Sequence, residues 1–114
     1  MATAPYTLTV RARARVERSR FDGLDAALDE LGRRGAELAA GSRAPAVDLG
    51  VRRFEPVQRV VARLELRGPR GLRAGIDVRG DGSSEGYTGR LRRELVARRA
   101  DETAWAALGR VLRG

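Results

Sequence analysis

Asp77, Asp81 and Glu85 fall at four-residue intervals around the glycine turn Gly80-Asp81-Gly82, a spacing that could offer carboxylate oxygens to a hard divalent cation. Three carboxylates scattered among arginines make a poor cage, and the turn itself gives Asp81 a use as a turn-former while Glu85 reads as solvated. The hydroxyls that follow, on Ser83, Ser84, Tyr87 and Thr88, would need a base to become nucleophiles. The chain has no histidine and no cysteine, and all 23 of its basic residues are arginine. A histidine base, a Ser-Lys pair, a thiolate and Cys-type zinc binding are therefore excluded. Hydrolysis by paired carboxylates needs two acids flanking a cleft, and nothing in the pattern singles out a pair. The expectation is a protein that is not an enzyme and carries no metal or cofactor.

The chemistry that recurs along the chain is that of the guanidinium group, whose fork binds phosphate bidentately. Arginines alternate with apolar residues in several stretches. Arg11, Arg13, Arg15, Arg59, Arg63, Arg67, Arg73, Arg90 and Arg92 fall on the polar side of that alternation and form the candidate polyanion-binding set. Arg79 shares the pattern, and Glu17, Glu65, Asp77 and Glu94 relieve the charge. One reading is a phosphate-backbone platform for RNA or DNA. The other is a solvated sheet face laced with cross-strand Arg-Glu pairs, each worth a fraction of a kcal/mol. The formal charge of +8 suits an anionic partner. Yet the absence of lysine and asparagine points to a compositional bias that would raise arginine in any case.

The elements that must position these residues follow from periodicity. From Tyr6 to Glu17 the alternation predicts one long strand, with Tyr6, Leu8, Val10, Ala12, Ala14 and Val16 inward and Arg11, Arg13, Arg15 and Glu17 outward. After Phe21 the period becomes helical, with Leu24, Leu28, Leu31 and Leu38 on one stripe, Asp22 as the expected N-cap and Gly41-Ser42 as the end. Gly32 and Gly35 weaken that helix, and Gly35 is an alternative, earlier stop. Residues 42–56 read as a loop or edge strand, with Pro56 blocking continuation.

Val57 to Arg67 and Leu72 to Val78 alternate on either side of Gly68-Pro69-Arg70-Gly71, which predicts a hairpin. Gly80 to Ser84 is a second turn, and Tyr87 to Ala97 fits a strand somewhat better than a helix because of Gly86 and Gly89. A terminal helix begins near Ala100 or Asp101, with Glu102 in its first turn and Trp105, Leu108 and Leu112 on one stripe.

The expected order is β-α-(β)-β-β-β-α. This is an α+β domain spanning 1–114, with a disordered start at 1–5 and an antiparallel sheet of four or five strands carrying both helices on one face. The tyrosines and Trp105 all fall on inward faces in this reading, which argues against base stacking. Residues 22 to 40 hold five acids against two arginines, so the chain is electrostatically two-sided. Leu, Val, Ile and Phe number only 26, beside 18 alanines. The core is thin, and a homodimer would complete it. No run approaches a membrane span and Met1 to Pro5 lacks a signal pattern, so a cytoplasmic location is expected.

The order β-α-β-β-β-α, with Leu95-Val96 leading into Asp101-Glu102-Thr103-Ala104-Trp105-Ala106-Ala107-Leu108, resembles the short ribosome hibernation factors, which implies binding to ribosomal RNA. Gly80-Asp81-Gly82 followed by Glu85, Tyr87 and Leu91 is similar to the glycine turn and helix of the regulatory domain of isopropylmalate synthases. That implies a dimer sensing a small ligand, with residues 84 to 97 helical. The first resemblance covers topology and the second about a dozen residues, and neither identifies the chain as a member. The expected function is a non-enzymatic binding or assembly module, associated with RNA or the ribosome through an arginine-rich sheet face. The alternative is a dimeric small-ligand regulatory domain.

Overall fold

The alternation that begins at Tyr6 is not one strand but two. A computed structural model of the chain describes residues 5–42, 59–89 and 92–114, and in it Arg13 adopts a left-handed φ of 57°. With Ala14 it turns the chain back, so that β1 (Tyr6–Ala12) pairs antiparallel with β2 (Arg15–Phe21) in the register Ala12↔Arg15 to Tyr6↔Phe21. A two-residue turn reverses direction and keeps directly paired residues on one face. Arg15, Val16 and Glu17 therefore lie on the side opposite to that expected from continuous alternation.

The helix α1 (Leu24–Ser42) follows. Its first backbone bond runs from the Ala27 N–H to the Gly23 carbonyl, one residue past the expected Asp22 cap. Gly35 does not end it. Gly32 and Gly35 both lie under the indole of Trp105: a Cβ at Gly32 would fall 3.2 Å from Trp105 Cδ1, and one at Gly35 3.0 Å from Cε3. Low helix propensity is here exchanged for close approach of a large aromatic ring.

β3 (Val60–Gly68) and β4 (Leu72–Arg79) form the expected hairpin around Pro69–Gly71, with Gly68 opposite Leu72. Arg70 and Gly71 take φ of 60° and 73°. The second turn is also as expected: the Asp81 carboxylate accepts the Ser83 N–H at 2.9 Å and Arg79 N–H donates to the Ser83 carbonyl. Beyond it, the single strand read over Tyr87 to Ala97 is two short strands, β5 (Ser84–Thr88) and β6 (Glu94–Leu95), folded against each other. The helix implied there by the isopropylmalate-synthase resemblance is not present.

The terminal helix α2 (Ala104–Arg113) starts later than expected, because Thr103 caps it through a bond from the Ala106 N–H to its hydroxyl at 3.1 Å. Glu102 stands outside that helix. It accepts from the Arg99 N–H and receives both Nε and Nη2 of Arg110 at 2.8 Å.

The six strands of the described residues form one antiparallel sheet in the order β2-β1-β3-β4-β5-β6, two strands more than the minimum expected, and the fold class is α+β. Both helices cover one face. Leu28 and Leu31 of α1 and Leu108 of α2 meet Leu8, Val10, Leu64, Leu66, Ile76 and Val78 in a single core. Each of these buried side chains contributes about 1.5–3 kcal/mol relative to exposure. The expected N-terminal segment falls, for residues 1–4, outside the described residues, as do residues 43–56 of the expected loop or edge strand. Among the described residues, no helix is long and apolar enough to cross a membrane.

The Arg110 guanidinium and the Arg99 N–H hold the Glu102 carboxyl at about 2, down from an ordinary 4.5. A depressed folded value gives stability that is present above the unfolded pKa and is lost as pH falls through the folded one. Hydrogen bonds from Arg34, Arg33 and Ser83 lower Glu17, Glu30 and Asp81 in the same direction. The melting temperature is expected to fall between about pH 4.5 and about pH 2, and Glu102→Gln is expected to flatten part of that fall in a pH series of thermal melts.

Candidate polyanion-binding face

On the face opposite the helices, the register arranges the side chains in rows across the strands. One row, at the end of the sheet carrying the Pro69–Gly71 loop, reads Arg20, Thr7, Arg67, Arg73 across β2, β1, β3 and β4. At about 4.8 Å per strand, its ends lie about 14 Å apart. Arg18 stands two residues along β2, and Arg70 projects from the loop. Gly89 lies at the same end, since its N–H donates to the Arg73 carbonyl at 3.0 Å, and a Cβ on it would run into the Arg92 carbonyl oxygen. Arg92 is exposed there.

The next rows are different in kind. Arg11 reaches Glu65 at 3.4 Å, and Arg79 reaches Glu85 at 2.8 Å. Asp77 is buried and bridges two arginines, with Arg63 Nε at 2.8 Å on one carboxylate oxygen and Arg93 Nη1 at 3.2 Å on the other. The bond to Asp77 raises the Arg63 pKa. Tyr87 lies across Gly75, which leaves room for it by having no side chain, and the Arg93 guanidinium carbon sits 3.9 Å above its ring centroid. Burial pushes the Tyr87 hydroxyl up. These carboxylates are spoken for by arginines, and no cluster of three metal-ligating side chains occurs among the described residues.

The candidate set thus divides. Arg67 and Arg73 stand on the acid-free row and Arg92 at its edge. Arg11 and Arg63 are on the open face but engaged with Glu65 and Asp77. Arg13 forms the β1–β2 turn, and Arg15 lies on the helix-bearing side, 3.8 Å from Glu17, which itself binds Arg34 of α1 at 2.6 Å. Both were expected outward, and the unforeseen turn reverses Arg15. Arg59 precedes β3, with its carbonyl accepting the Gly80 N–H. Arg90 lies outside the described residues.

Sequence reasoning missed Arg18 and Arg20, which the same turn brings to the open face, and Arg93. It also placed Tyr87 inward, whereas the ring is on the open face, buried beneath Arg93. A strand of twelve residues exceeds the usual length of about five or six, and that excess was the one available sign of the turn. No protein-family model, curated protein or solved structure matches the chain.

Proposed function

We propose that this chain is a non-enzymatic binding module that holds a polyanion, the backbone of RNA, on the acid-free end of its open sheet face. The observation that carries the reading is the segregation of charge. Arg20, Arg67, Arg70 and Arg73 gather at one end with no carboxylate among the described residues to pair them, while the acids of that face are gathered along the neighbouring rows, the first of which Arg18 shares with Glu65. Arg67 and Arg73 are directly opposite each other, and like charges so placed destabilise a sheet. A phosphate between them turns that cost into two charge-assisted contacts. The acidic helix α1 lies on the far side of the sheet, so the molecule's field favours approach of a polyanion from the arginine side.

The homodimer expected from the thin core draws no support from the free edge of β2. Arg15, Arg18 and Arg20 along it would set like charges against the same strand of a second copy.

The test is a salt titration of the protein against unstructured RNA by fluorescence anisotropy. Four phosphate contacts on a single strand predict a slope of log K against log salt of about −3. An absence of binding at low salt would overturn the proposal.

A further inference from the structure

Arg93 is a guanidinium fixed in position on an otherwise solvent-facing surface. Its inner face rests on the Tyr87 ring at 3.9 Å and its Nη1 is tethered to buried Asp77 at 3.2 Å. Asp77 is in turn held by Arg63 from β3, so the plane is braced from two directions. The side chain is nonetheless 46% exposed. Leu95, directly opposite Tyr87 on β6 and so on the same face, is 67% exposed, which places a bare apolar side chain beside the ring that carries the guanidinium. The shelf stands one row, two residues or about 7 Å along the strand, from Arg73 and the acid-free corner.

A charged group stacked, tethered and then left half open is more than a surface ion pair needs, because exposed pairs contribute little to stability. A planar cation backed by an aromatic ring, with an apolar neighbour, has the form of a stacking surface. Unpaired bases stack on arginine planes as they do on aromatic rings, and the cationic plane adds attraction to the base's π-face.

We infer that Arg93 is a stacking shelf for an unpaired nucleobase, so that the RNA bound is single-stranded and one of its bases lies on the Arg93 plane while its phosphates run along Arg67 and Arg73. The inference rests on the RNA reading above and deepens it. It requires no base-specific hydrogen bonds, so the preference is for the presence of a base, not its identity.

The experiment compares oligouridylate with an abasic ribose-phosphate strand of the same length, measured by anisotropy at one salt concentration. The two share their phosphates and differ only in bases. The base-bearing strand is expected to bind about 5- to 150-fold more tightly, the equivalent of about 1–3 kcal/mol for one stacked base. Arg93→Lys keeps the charge and removes the plane, and is expected to erase that preference while leaving abasic binding unchanged; Tyr87→Phe keeps the ring and is expected to retain it. Equal binding of the two strands by the unmodified protein overturns the shelf and leaves phosphate binding standing. Binding of neither overturns the RNA reading itself. Full preference in a folded Arg93→Lys protein also overturns the shelf.

Discussion

Replacing Arg67 and Arg73 together with glutamate is expected to weaken RNA binding by on the order of 100-fold or more and to flatten its salt dependence. A hydrogen bond to a charged group is worth about 1.5–3 kcal/mol, so two lost contacts exceed the roughly 2.8 kcal/mol that corresponds to 100-fold. The slope should fall by about 1.4, at about 0.7 per phosphate on a single strand. The control is the pair Arg13→Glu and Arg15→Glu, which changes net charge equally. Those residues occupy the β1–β2 turn and the helix-bearing side, so only a modest, general weakening is expected. Equal losses in the two pairs would show that binding follows net charge and not the row. The single change Arg73→Glu carries a second, opposite sign. It sets a carboxylate opposite Arg67 in place of a like charge and should raise the melting temperature slightly, by the few tenths to about 1 kcal/mol of a cross-strand pair, while it weakens binding.

The largest expected loss of stability is at Gly75. A glycine inside a central strand is ordinarily a weakness, and giving it a side chain there would stabilise the fold by about 0.4–1 kcal/mol. Here the sign reverses. A Cβ would stand 2.6 Å from the Leu64 carbonyl oxygen and 2.6 Å from Tyr87 Cζ, with the Tyr87 hydroxyl closer still. Backbone and ring cannot both give way, since the ring is itself beneath Arg93. Gly75→Val is expected to cost about 3 kcal/mol, the upper range for overpacking, and to lower the melting temperature by roughly 12 °C in a domain of this size. A melting temperature equal to or above that of the unmodified protein would show that Tyr87 does not lie across this position. The same variant should lose the base preference ascribed to Arg93, since the shelf loses its support.

Much of the architecture is written in local signals. The β3–β4 hairpin is announced by four turn residues between two alternating runs, and α1 by four leucines at helical spacing. The terminal stripe of Trp105, Leu108 and Leu112 is legible although its cap is not, because Glu102 looks like a first-turn acid until Arg110 is seen to hold it. The site was less legible than the fold. Arg13 and Ala14 are not turn-formers, and apolar and polar residues happen to continue alternating through them, so the strand reads straight on. One missed turn exchanged Arg15 for Arg18 and Arg20 on the open face. Gly32 and Gly35 read as weaknesses of a helix because their partner, Trp105, is far away in sequence. Tyr87 was turned inward because its companion is an absence, the missing side chain of Gly75.

The seating of Trp105 against Gly32 and Gly35 has a use at the bench. It is the only tryptophan in the chain, and its indole is clamped between the two helices on the covered side of the sheet. Its emission therefore reports whether the helix layer is docked, and the sheet separates it from whatever arrives on the arginine side. A variant of the open face that alters anisotropy with RNA but leaves the tryptophan spectrum and its denaturation midpoint unchanged has lost a ligand contact and not its structure. The protein carries its own folding probe in the layer where it will not be mistaken for a binding signal.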